Sequence, residues 1–263
     1  MSHRKLAGLL TLTALTLFPL HHAFTVEAAD PAPADPTPTV ATRATPSLGT
    51  TAQDPLRQSL ERLAPTLDRD VLGRALAARD CALAAGEAGR DEILTVIDYS
   101  LPSTAKRLWV FDVEREKLLF HELVAHGKNT GGNMATRFSN TDGSLQSSLG
   151  LFRTADTYYG KNGYSLRLHG LEEGVNHLAL PRTIVIHGAW YVSDEFAKKQ
   201  GRIGRSWGCP AVPEIVARPL IDTIKEGSLV FAYYPDQNWL GGSKFLTAAC
   251  PAGGAGGTAV AGR

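Results

Sequence analysis

The chain has 263 residues, 27 Lys+Arg against 26 Asp+Glu, and a formal charge of +1. That length allows one domain or two with a sizeable core, and the near-neutral balance argues against a nucleic-acid partner, which leaves a basic footprint. With 43% hydrophobic residues the chain is not disordered as a whole, and three Cys are too few for a small disulfide scaffold.

Arg4 and Lys5 precede an apolar run, Leu6 to Leu20, and Val26-Glu27-Ala28 follows with residues a signal peptidase reads. This predicts a cleaved secretory signal over 1–28, with an uncleaved anchor as the alternative. The run is shorter than the ~20 residues that span a bilayer, so the mature protein is expected to be exported, without a membrane span, into a compartment where disulfides persist. Residues 29–54 carry Pro31, Pro33, Pro36, Pro38 and Pro46 among Ala and Thr, a linker composition. The Gly/Ala-rich tail 251–263 is expected to be disordered.

Leu56, Leu60 and Leu63 sit at helical spacing before Pro65, and Asp68 is placed to cap a second helix bearing Val71, Leu72, Leu76 and Leu83. Gly86 and Gly89 close this segment, 55–90. Beyond it the period changes. Strands are predicted at Ile93–Ile97, Leu108–Phe111, Leu118–Val124, Thr183–His187 and Leu229–Tyr233, with a last strand region at Trp239–Ala249. Asp194–Lys199 and Glu214–Lys225 read as helices. The pattern predicts a mainly β (α+β) domain over 91–250, mostly antiparallel, with helices at its edges.

Cys209 stands in Ser206-Trp207-Gly208-Cys209-Pro210-Ala211. Gly208 permits an unusual backbone angle and close approach of a substrate. Lys198, Lys199, Arg202 and Arg205 nearby are either thiolate-stabilising cations or a solvated face. A Cys nucleophile needs a base within reach. His187 ends an apolar run, precedes Gly188, and lies 22 residues before Cys209. His126 and His169 are also followed by Gly and remain rivals, whereas His121 and His177 look structural or solvated. His126, His169, His187 and Cys209 could in principle form a zinc shell. The chain has neither His-Glu-x-x-His nor Cys-x-x-Cys, so no metal and no cofactor is expected. Cys81 and Cys250 lack a Gly-Cys turn. In an oxidising compartment they are expected either to bridge, leaving Cys209 free, or to stay as separate buried thiols.

These residues resemble the murein L,D-transpeptidase catalytic domain family, of the YkuD type. The likeness rests on Ile97-Asp98-Tyr99-Ser100, Leu123-Val124-Ala125-His126-Gly127, Gly163-Tyr164-Ser165-Leu166-Arg167-Leu168, His187-Gly188 and Gly204-Arg205-Ser206-Trp207-Gly208-Cys209-Pro210-Ala211. It covers about 90–235. It implies a YkuD-like mixed, mostly antiparallel β-sheet sandwich with edge helices, to which the spacing above adds an N-terminal helical pair. It implies Cys209 as nucleophile, His187 as base, the Gly188 carbonyl as the group orienting the imidazole, and backbone N–H groups near Gly208 and Cys209 as the oxyanion hole. Trp207 and Ala211 depart from the broader family's His and Asn/Arg. Arg205, Arg202, Trp207 and Tyr164 become the candidate substrate contacts, with Trp207 equally readable as packing.

The implied reaction transfers a peptidoglycan tetrapeptide stem through a Cys209 thioester to a second amine, at the cell wall, and implies carbapenem sensitivity. A hydrolase on the same scaffold (carboxypeptidase or endopeptidase) and a non-catalytic wall-binding module are the alternatives.

Overall fold

The computed structural model describes residues 54–247 and Cys250. The expected signal peptide, most of the linker and the tail after Cys250 lie outside the described residues. Asp54 accepts a hydrogen bond from the Leu56 N–H and starts helix α1, Pro55–Leu63, with Pro at the position where its missing donor costs nothing. Asp68 likewise accepts from the Asp70 and Val71 N–H groups and starts α2, Arg69–Ala84. Val71, Leu72, Ala75, Leu76, Ala78 and Ala82 on α2 are buried in the same core as the sheet.

Eight strands follow: β1 Ile93–Asp98, β2 Leu108–Asp112, β3 Lys117–Glu122, β4 Gly150–Gly160, β5 Gly163–Gly170, β6 Val185–Gly188, β7 Ala211–Val212 and β8 Leu229–Tyr233. They form one mixed sheet in the order β3-β2-β1-β8-β4-β5-β6-β7. Only β1·β8 and β6·β7 are parallel. The expected two-layer sandwich gives way to this single sheet because β8 hydrogen-bonds to both β1 and β4 and joins the two halves. The sheet then curls until its ends meet. Ala125, just beyond β3, bridges Ala211 of β7, and its N–H donates to the Ala211 carbonyl at 2.8 Å. Nearly closed in this way, the sheet leaves few unpaired edge groups.

β1 and β2 are buried along their whole length, as central strands covered on both faces should be. Between them Arg107 is fully buried. Its guanidinium donates to the Val124 and Leu101 carbonyls and to His126 Nδ1, at 2.7–3.1 Å. It thereby fixes the segment that closes the sheet.

Helix α3, Asp194–Gln200, is capped by Ser193 and stops at Gly201 in the left-handed region. Helix α4, Glu214–Ile224, buries Ala217, Leu220, Ile221 and Ile224. Two expectations about the chain need correction. The segment expected as a strand from Trp239 begins instead as helix α5, Gln237–Gly242, because the Asp236 side chain caps the Asn238 and Trp239 N–H groups. The strand expected from Thr183 starts only at Val185, because Thr183 has φ +55° and cannot be extended there. Cys81 on α2 and Cys250 are joined as a disulfide, with Cα atoms 5.5 Å apart. Among the described residues no helix is long and apolar enough to cross a membrane.

Candidate active site

The β6–β7 ladder assembles the site. His187 pairs in register with Ala211 in a parallel ladder, so Cys209, two residues before Ala211, comes level with Val185 at the start of the strand that carries the imidazole. Both side chains line one cleft of about 740 Å³, together with Leu145, Tyr158, Lys161, Arg182, Thr183, Tyr191, Arg205 and Trp207. The volume falls in the range of small-molecule sites.

His187 is buried at 4% exposure, and its Nδ1 lies 2.9 Å from the Gly188 carbonyl. A carbonyl only accepts, so Nδ1 carries the hydrogen and Nε2 is left as the basic atom. Burial holds the imidazole below its usual pKa, and the Gly188 carbonyl offsets part of that. Gly188 is required here. A Cβ on it would sit 2.9 Å from the Ala217 Cβ and 3.2 Å from the Glu214 Cα, where α4 packs.

Cys209 is half-buried and is the free cysteine of the described residues. Its Sγ lies 3.7 Å from the Thr183 carbonyl. Burial pushes the thiol up, while the Val185 N–H, the Arg182 charge and its own N–H pull the other way. Burial thus favours the neutral form of each group.

The turn before Cys209 is built around Ser206. Its hydroxyl donates to the Cys209 carbonyl at 2.6 Å and accepts from the Gly208 N–H at 3.1 Å. Gly208 has φ +128°, a value closed to side chains, and a Cβ there would meet the Gln146 carbonyl at 2.8 Å. The Gly208 N–H is thus engaged by the Ser206 hydroxyl.

The other candidate residues scatter. Arg205 lines the cleft but donates to the Lys128 and Gly131 carbonyls, both at 2.9 Å. Arg202 donates to its neighbour's carbonyl at Ile203 and is not among the cleft residues. Trp207 lines the cleft at 76% exposure, too open for a packing role. Tyr164 donates to Asp222 at 2.7 Å, lies against Tyr159 and Arg218, and is not among the lining residues. Lys199 is paired with Glu195 on α3.

Of the rival bases, His126 is buried, with Nδ1 2.8 Å from an Arg107 nitrogen and Nε2 3.1 Å from the Gly132 carbonyl. Burial and the Arg107 charge lower its pKa to about 4. Both ring nitrogens are occupied, so it supports structure. His169 lies on β5 opposite Arg153 and does not line the cleft. No group of three or more His, Cys, Asp or Glu able to hold a metal occurs among the described residues.

Sequence reasoning missed Arg182 and Lys161 as the cleft's cations. Lys161 lies in the tight β4–β5 turn, between Gly160 and Gly163, and that Gly-x-x-Gly pattern is a readable hairpin signal.

A sequence model of the L,D-transpeptidase catalytic domain matches residues 63–233. No protein of curated function matches the chain. Similar solved structures include an L,D-transpeptidase from Mycobacterium smegmatis, 16% identical, at TM-score 0.35, covering 54% of this chain and 59% of that one. L,D-transpeptidase 3 from Mycobacterium tuberculosis, in complex with a faropenem-derived adduct, is 13% identical at TM-score 0.33, covering 54% and 60%. An L,D-transpeptidase from Stackebrandtia nassauensis is 15% identical at TM-score 0.33, covering 69% and 90%. The chain thus spans about three fifths of the first of these relatives.

Proposed function

Since the chain belongs to the L,D-transpeptidase catalytic-domain family, we propose that it forms peptidoglycan cross-links through a Cys209 thioester with His187 as base. The observation that carries this reading is the convergence of a free cysteine and an Nδ1-anchored histidine in one open cleft.

In this mechanism His187 Nε2 takes the thiol proton as Sγ attacks the amide carbonyl carbon of a tetrapeptide stem, between its third residue and the terminal D-Ala. The S–C bond forms and the C–N bond breaks, with the proton passing from the imidazolium to the departing amine. The amine of a second stem then attacks the thioester, His187 takes its proton, and the thiol is restored. Arg205 and Lys161 give the cleft a positive wall suited to an acidic stem. Trp207 offers an exposed apolar face on which substrate can lie. We place the protein outside the cytoplasm, in the periplasm or cell envelope, because its substrate lies there and because residues 1–28 read as a secretory signal.

Incubation with tetrapeptide muropeptides, followed by mass spectrometry, tests the proposal. A dimer formed with loss of one D-Ala is expected. Tripeptide alone would make the protein a carboxypeptidase, and unchanged substrate would overturn the enzymatic reading.

A further inference from the structure

We propose that Arg182 is a positioning residue whose guanidinium clamps the 139–148 segment against the Gly208–Cys209 turn. The inference rests on Cys209 being the nucleophile.

Residues 139–148 contain no helix or strand, yet they form one wall of the cleft. Arg182 is 9% exposed and enters none of the ion pairs among the described residues. A buried cation is costly unless its donors are satisfied. All four of its side-chain hydrogen bonds go to this one segment. Nη1 donates to the Ser139 carbonyl at 2.7 Å and to Ser148 Oγ at 2.6 Å. Nη2 donates to Ser144 Oγ at 3.2 Å and to the Gln146 carbonyl at 2.8 Å.

The segment is gripped from its other side by the nucleophile turn. Ser147 Oγ donates to the Gly208 carbonyl at 2.9 Å, and the Gln146 carbonyl presses on the Gly208 α-carbon so closely that no Cβ fits. Arg182, the segment and the turn are thus stacked in that order. Only a planar fork with several donors can hold two carbonyls and two hydroxyls at once, which a lysine cannot do.

The backbone at both ends of the clamp is strained. Four non-Gly residues have positive φ among those described. Two of them, Leu145 at +57° and Thr183 at +55°, line the cleft, one inside the clamped segment and one next to Arg182. Thr183 is β-branched, for which this region is a genuine outlier. Its carbonyl is the one that faces Cys209 Sγ. Such strain persists only where the surroundings over-determine it, and it clusters at functional sites. The clamp supplies that determination. Its side chain holds one wall of the cleft, and its neighbour's carbonyl meets the thiol from the other.

The test compares Arg182→Gln with the double variant Ser144→Ala/Ser148→Ala, which keeps the guanidinium and removes two of its acceptors. Misplacing a nucleophile by about 1 Å costs about 100-fold. Arg182→Gln should therefore lower kcat by about 100-fold while KM stays within about threefold, and the double variant should lose kcat in the same sense. A rise in KM at unchanged kcat would make Arg182 a substrate contact and overturn the proposal. So would a double variant with unchanged turnover. Proteinase K cleavage near the exposed Thr141–Gly143 tip supplies a readout that needs no peptidoglycan. Cleavage should accelerate about tenfold in both variants, and equal rates would refute the clamp even if the natural reaction proves to be a different one. Should Arg182→Gln fail to fold, the double variant carries the test alone.

Discussion

Lowering the pH from 6.5 towards 4 asks His126 to take a proton while its Nδ1 accepts from the Arg107 guanidinium. The folded state resists, because burial and the Arg107 charge hold the imidazole at about 4, against about 6.5 in an unfolded chain. Between those values the unfolded chain binds more protons. Stability is therefore fully present above pH 6.5 and is lost progressively as the pH falls towards 4. The difference corresponds to about 3 kcal/mol, a large part of a typical domain's stability. His187, also lowered, adds in the same direction, whereas Asp98, raised by burial, opposes it. The comparison that isolates His126 is His126→Asn, whose Oδ1 can stand where Nδ1 accepts but does not titrate. Urea unfolding of both proteins at pH 7, 6, 5 and 4 should show the wild type losing about 3 kcal/mol more than the variant across the range. Parallel stability curves would refute the reasoning. The effect should reach the active site too, because the Ser206 N–H donates to the His126 carbonyl at 3.0 Å and Ser206 holds the nucleophile turn.

Three further outcomes are expected. Cys209→Ala and His187→Ala should each abolish turnover in a folded protein, and Cys209→Ala should also abolish the mass increase on incubation with a carbapenem; an adduct on Cys81 or Cys250 would contradict the assignment. Thr183→Gly should raise stability by about 1 kcal/mol, since Gly takes a positive φ without strain; a drop in melting temperature would refute the strain. Cys81→Ala/Cys250→Ala frees a closure spanning 169 residues, for which the chain-entropy relation gives a loss of up to about 5 kcal/mol, read by thermal melting; three free thiols in denatured, non-reduced wild type would end the bridge.

What the sequence made legible follows from how each part is buried. β1, β2 and β8 are covered on both faces and read as continuous apolar runs, Ile93–Ile97, Leu108–Phe111 and Leu229–Tyr233. β4 and β5 do not. Their outer halves emerge from the core, and polar residues such as Thr157 and Arg167 break up the pattern. β7 has two residues, too few to show any period. α5 hid behind Trp239 and Leu240, apolar residues that suit a strand equally well, although Asp236 was available as a cap. Cys209 and His187 were legible because each stands beside a glycine that the fold requires, Gly188 for α4 to approach and Gly208 for the turn.

Arg182 illustrates a different kind of opacity. It sits in Leu180-Pro181-Arg182-Thr183, a stretch with no motif, and its four acceptors lie 34–43 residues away along the chain. Nothing local distinguishes it from Arg202 or Arg205, which stand beside Cys209 in sequence and were the natural choices. In the fold those two spend their donors on nearby carbonyls, at Ile203 for Arg202 and at Lys128 and Gly131 for Arg205. The cation whose charge bears on the thiol comes from the loop that enters β6, because the sheet brings the start of β6 and the approach to β7 to one side of the cleft. Proximity in sequence made the turn before Cys209 readable and left Arg182 unread for the same reason. A nucleophile turn is a local structure, whereas the electrostatic environment of a buried thiol is set by whichever chains the topology folds against it.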